Sequence, residues 1–232
     1  TNTPSISAIA TSAFSWGDYL NATEDNNNGT VSITTSGVEN DQTVTITLNG
    51  QAYTNTVTDN ATTVTITAGG LQGLTNGQSY TMTADVSDAA GNAADQVTSS
   101  AFTYDKTAPT VSSFAMSDTA LKSGETATVT LVFSEAVTGF ANADITVVNG
   151  SLSTMSTSDN ITWTGTYTPT ADVEDDTNVL TLGTTWTDST GTAYGGAAVN
   201  TANFTIDTNT PSISAIATSA FSWGDYLNAT ED

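Results

Sequence analysis

The chain has 232 residues, of which 24 are acidic and two are lysines, with no arginine, histidine or cysteine, so its formal charge is −22. Like charges repel, which excludes nucleic acid and direct contact with an anionic membrane as electrostatic partners and invites cations. No disulfide can brace the fold, no apolar run has transmembrane length, and with only 11% charged residues the chain is not a solvated disordered tail.

Thr1–Asp25 recurs letter for letter as Thr208–Asp232. A copied segment at long spacing is the mark of a tandem array, and the chain is expected to be cut from one. Arrays work by length and number, so a structural role is expected and an enzyme is not. After a first strand, Phe14–Gly29 reads as a long polar excursion. Val44, Ile46 and Leu48 then alternate with polar residues, as do Val64 and Ile66, and again Tyr80, Met82, Ala84 and Val86. That period of two is the signature of half-buried strands. Asn49-Gly50 between alternating runs predicts a hairpin, and Gly69-Gly70 predicts a turn. A Gly-containing loop, Asp88–Asn92, closes the unit.

Tyr104-Asp105-Lys106-Thr107-Ala108-Pro109 reads as a joint: an apolar residue, Asp, a short polar stretch, then Pro, which favours extended backbone before it. Ile206-Asp207-Thr208-Asn209-Thr210-Pro211 repeats the pattern. Between the joints Val129, Leu131 and Phe133 alternate, then Ile161, Trp163 and Tyr167, with Leu180 and Leu182. Asn149-Gly150 predicts a second hairpin, and Asp188–Gly191 a second late loop. The reading is all-β: two antiparallel β-sandwiches of about seven strands each, residues 1–105 and 106–207, followed by a partial copy, 208–232, holding a first strand and its loop. An isolated first strand exposes an unpaired edge, so 208–232 is expected to pair with, or exchange into, a second copy of the chain.

The run DVSDAAGNAA followed by YDKTAPTV resembles the strand, loop and linker of bacterial Ig-like repeats. FAMSDTALKSGETATVTLVFSEAVTGFANADITVVNG with YTPTADVEDDTNVLTL is similar to a second bacterial Ig-like subtype. The resemblance implies two Ig-like domains acting as extender (stalk) modules of large repeats-in-toxin or biofilm-associated adhesins. Such adhesins are exported by type I secretion to the bacterial surface, and calcium stiffens their joints. Neighbouring repeats of the same chain would then be the partners.

In an Ig-like topology the acids gather at the poles of each unit. Asp18, Asn21, Glu24 and Asp25 of the first unit's A–B loop would meet the linker Asp105, with Glu135 and Asp188 arriving from the second unit. At the next joint Asp118 of the second unit's A–B loop, Asp172, Glu174, Asp175 and Asp176 of its E–F loop, and the linker Asp207 would gather. Glu39 and Asp88, with Asn92, would face the linker aspartate of a preceding unit. Carboxylates crowded this way repel unless a cation sits among them. Ca2+ suits six to eight oxygens in irregular geometry, Mg2+ asks for tighter octahedra, and zinc lacks His or Cys. The alternatives are solvated loop charges, or an Ig-like module binding a glycan or protein through Phe14–Asn28, for which Trp16 and Tyr19 would have to form an exposed platform.

Overall fold

A computed structural model describes residues 3–213. The predicted pairing or exchange of the partial copy falls mainly on 214–232, which lie outside the described residues.

The chain is all-β apart from short helical turns, and its buried side chains form two separate cores. The first core runs from Ile6 to Tyr104 and the second from Phe114 to Ile206. In the first unit, strands Ser5–Ile6, Gly29–Ser36 and Ala61–Ile66 form one sheet. The opposing sheet orders Gln51–Thr56, Thr43–Leu48, Met82–Asp85 and Val97–Thr98. Alternation decides which side chains go inside: Val44, Ile46 and Leu48 are buried, while the threonines between them face outward. Asn49-Gly50 joins Thr43–Leu48 to Gln51–Thr56 with φ of 49° and 78°, the left-handed pair that a two-residue hairpin needs.

Strand Phe102–Asp105 lies between Tyr19–Asn21, which runs parallel to it, and Gln78–Tyr80, which runs antiparallel. Asp105 is thereby set in register with Asn21 at the far pole of the unit. The second unit repeats the device: Ala120–Lys122 runs parallel to Phe204–Asp207, with Lys122 opposite Asp207.

Four sequence expectations are corrected. Phe14–Gly29 is not a polar excursion, because Phe14, Trp16 and Leu20 are buried, and Phe14 and Trp16 pack with Phe102. Its many polar residues surround an apolar anchor too short and irregular to read as a strand. Gly69-Gly70 lies inside a short helix, Ala68–Gln72, capped by the Thr67 side chain. Asn149 takes a left-handed φ of 48° but makes no hairpin: Ile145–Thr146 and Gly150–Leu152 pair into different sheets. Its amide instead donates to Asp175 Oδ2 and Asn178 Oδ1, at 2.9 and 2.8 Å. Finally, Glu174–Asn178 is a strand paired with Phe204–Asp207, where the sequence suggested a loop.

Candidate metal centre at the joint

The first joint is built by the ends of three elements. Strand Phe102–Asp105 delivers Asp105, the stretch after strand Ala127–Phe133 delivers Glu135, and the two-residue strand Thr187–Asp188 delivers Asp188. One ligand oxygen from each of these three lies within 4.8 Å of the other two. Among the described residues this is the one such group of three.

Asp188 is fully buried. Its Oδ1 accepts from the backbone N–H groups of Thr190 and Thr192, both at 2.8 Å, and from the Thr190 hydroxyl at 2.7 Å. Its Oδ2 is buried and has no hydrogen-bond partner. A carboxylate oxygen removed from water without a donor is costly. Asp105 is held by its own linker, since Thr107 N–H donates to Asp105 Oδ1 at 3.0 Å. Asn76 fixes that linker in turn, accepting from Lys106 N–H at 2.8 Å and donating to the Thr107 hydroxyl at 2.7 Å. The Glu135 carboxyl is pushed above the usual range by burial first, then by the negative charges of Asp188 and Asp105. Each of these facts describes negative charge gathered in a confined place.

The oxygens lie close enough together for one calcium ion to touch all three: ligands on opposite sides of Ca2+ stand about twice 2.4 Å apart, and the three are all within 4.8 Å of one another. An all-oxygen, all-anionic donor set is that of a hard cation, and the orphan Asp188 Oδ2 is the atom such a cation would satisfy.

The other sequence candidates stand elsewhere. Asp25 is buried, but its Oδ2 accepts from the Tyr104 hydroxyl at 2.6 Å, and burial and that carboxylate push the tyrosine's pKa up. Glu24 Oε2 accepts from Asn21 N–H at 3.1 Å. Asp18 gives its backbone carbonyl to Thr103 N–H. None of the three belongs to the group of Asp105, Glu135 and Asp188.

At the second unit's far pole, Asp207 pairs in register with Glu174, and Asp118 Oδ1 caps Ala120 N–H at 2.9 Å. Asp175 is held by Thr177 and Asn149, and Asp172 sits in a turn at φ 58°. At the near pole of the first unit, Glu39 Oε2 accepts from Ala89 N–H at 2.8 Å. Asp88 accepts from Asn92 N–H and Nδ2, both at 2.7 Å.

Asn21, expected at this pole among the acids of its loop, and Thr192, which sequence reasoning did not single out, both bridge the units. Asn21 Nδ2 donates to the Thr190 carbonyl of the second unit at 3.1 Å, and Thr192 Oγ1 donates to the Asp105 carbonyl at 3.1 Å. A neutral side chain in a Thr/Asn-rich chain gives no compositional signal. The aromatic platform that a glycan-binding reading needs is not formed, because Trp16 is buried and only Tyr19 is exposed.

Residues 105–206 match the family model described as the bacterial Ig-like domain. No curated protein matches the chain. Among solved structures it is similar to that of a 1.5-MDa bacterial ice-binding adhesin, with 22% identity over 89% of this chain and 65% of that one and a TM-score of 0.48. A Ca2+-stabilized adhesin of an Antarctic bacterium gives 23% identity over 90% of this chain and 50% of that one, with a TM-score of 0.47. A bacterial immunoglobulin-like domain from the M. primoryensis ice-binding adhesin gives 30% identity over 45% of this chain and 98% of that one, with a TM-score of 0.32. The chain thus spans less than two thirds of the length of the first two structures, at 65% and 50%.

Proposed function

With residues 105–206 a bacterial Ig-like domain, we propose that this chain is a structural extender of a tandem-repeat bacterial surface adhesin, stiffened by Ca2+ at the joints between its domains. The role is mechanical, not catalytic: the pair holds a more distant part of the protein away from the cell. Its place is extracellular, at the bacterial surface. Export by type I secretion and a part in biofilms belong to the same reading.

The observation that carries the metal half is the buried, unpartnered Asp188 Oδ2 in a carboxylate group shared by both units and their linker. An ion held there contacts residues on both sides of the joint, so its binding energy is also docking energy. Backbone carbonyls and water complete the coordination. Extracellular calcium suffices even for sites of modest affinity, and occupancy stabilises the docked arrangement by mass action. Asp207 would take the part of Asp105 at the following joint, with Asp118, Asp172 and Asp175 around it. Where a unit precedes, Glu39 and Asp88 would face its linker aspartate, and an ion there would have to displace the Asn92 donors from the Asp88 carboxylate.

Calorimetric titration of the chain with CaCl2, paired with small-angle scattering in calcium and in chelator, tests the reading. The expected result is binding that Glu135→Gln and Asp188→Asn each weaken, and a narrower spread of interdomain angles with calcium. Titration heats that both substitutions leave unchanged would overturn it.

A further inference from the structure

The turn that presents Asp188 touches the first unit through neutral groups as well. Asn21 is nine-tenths buried. Its Oδ1 accepts from Thr23 N–H and Glu24 N–H, at 2.9 and 3.1 Å, which fixes the amide with Nδ2 facing the second unit. That nitrogen meets the Thr190 carbonyl, while Thr192, itself buried, caps the Asp105 carbonyl. Between them Gly191 has φ +89°, and a Cβ there would come within 3.1 Å of Asn21 Nδ2. The turn is therefore shaped for this seat by conformation and by closeness.

The first unit's own turn has the same backbone and different side chains. Asp88 N–H bonds to the Asn92 carbonyl just as Asp188 N–H bonds to that of Thr192. Yet Asn92 Nδ2 is committed to Asp88 Oδ2, and Ala90 stands in place of Thr190. A turn of that kind in the same seat would bring no hydroxyl to the Asp105 carbonyl. The seat differs too, since the second unit places Lys122 beside Asp207 where the first places Asn21 beside Asp105.

We propose that turn 188–192 is a docking plug which the first unit's far pole recognises without any metal, through Asn21 and the Asp105 carbonyl, and that this contact selects the second kind of unit to follow the first. The proposal deepens the extender reading and rests on it for the purpose of the joint. Metal-free, the two hydrogen bonds oppose the repulsion of Asp105, Glu135 and Asp188. Salt screens that repulsion and leaves hydrogen bonds between neutral groups largely untouched. Docking in chelator should therefore strengthen as salt rises.

Residual dipolar couplings of the full 232-residue chain in chelator test this, measured from about 0.05 to about 0.5 M NaCl. The wild type should approach a single alignment tensor for both units at high salt. Asn21→Ala combined with Thr192→Val should lower the ratio of docked to undocked molecules about tenfold, the factor expected from losing two hydrogen bonds. Thr192→Ser should behave as wild type, whereas Thr190→Ala with Thr192→Asn, which copies the first unit, should behave as the double variant. In each variant the amide spectra of the separate units report that both remain folded. Independent tensors for the wild type at high salt, or a double variant indistinguishable from it, would overturn the plug. Calcium titration of the same samples judges the metal reading separately, because absent binding heat leaves the comparison in chelator intact.

Discussion

Two turns of one backbone do different work in the two units. In Asp88–Asn92 the last residue satisfies both oxygens of the turn's own aspartate, its backbone N–H donating to Oδ1 and its side-chain amide to Oδ2. In Asp188–Thr192 the corresponding threonine reaches across to the linker, and the aspartate keeps one buried oxygen without a donor. One residue thus separates a loop that closes on itself from a loop that binds a neighbour. Loop acidity alone does not distinguish them; what decides is whether local donors saturate the carboxylate. Asp25 shows an intermediate case inside the first unit, where the Tyr104 hydroxyl satisfies one oxygen, Oδ2, of a buried carboxylate.

The largest test of that contrast is Asp188→Asn. Calcium affinity follows the charge count of the ligands, so loss on the order of a hundredfold is expected by calorimetry. In chelator the same variant should melt no earlier than the wild type, because one repelling charge has gone. Asp88→Asn, by comparison, should leave calcium binding at the first joint unchanged. Next in size is Tyr104→Phe, which leaves Asp25 Oδ2 buried without its donor. That costs about 1–3 kcal/mol, read as a lower melting transition of the first unit in calcium and chelator alike. A shift confined to calcium would mean that Asp25 serves the ion after all.

Much of this was legible in the sequence, and the limits were physical. Alternation at period two exposed the strands, because one face of each is buried; the linker aspartates stood out by repetition. Asp105, Glu135 and Asp188 were named from their loops, since topology fixes which loops share a pole. The same rule also brought in Asp18, Glu24 and Asp25, which lie outside the group of three, because a pole is wider than an ion; sequence also cannot say that Glu24 and Asp25 each find a local donor. Phe14 gives no sign of its role for a related reason: an anchor in irregular backbone has no sustained period. Asn149-Gly150 carried the correct left-handed residue but the wrong partner strand, a matter of long-range pairing.

Titration gives the smallest effect and the sharpest form of the comparison. Hydrogen bonds from Asn92, its side chain first and then its backbone N–H, hold the Asp88 carboxyl below the usual range. A depressed value means stabilisation that is present above the unfolded-state pKa and is lost as pH falls through the folded one. Asn92→Ala should therefore destabilise the first unit near neutral pH, and the gap from wild type should close as the pH drops below about 4. Glu135 has the opposite sign: burial and its acidic neighbours raise it, so in chelator the joint should be firmest below the unfolded-state value and loosen as pH rises through the folded one. Calcium should reverse that second slope, because the ion needs the carboxylate ionised. Thermal melts of the first unit and interdomain couplings, followed over one pH series, would then run in opposite directions without metal. Parallel slopes would show that both turns answer to net charge and that their hydrogen bonds decide nothing.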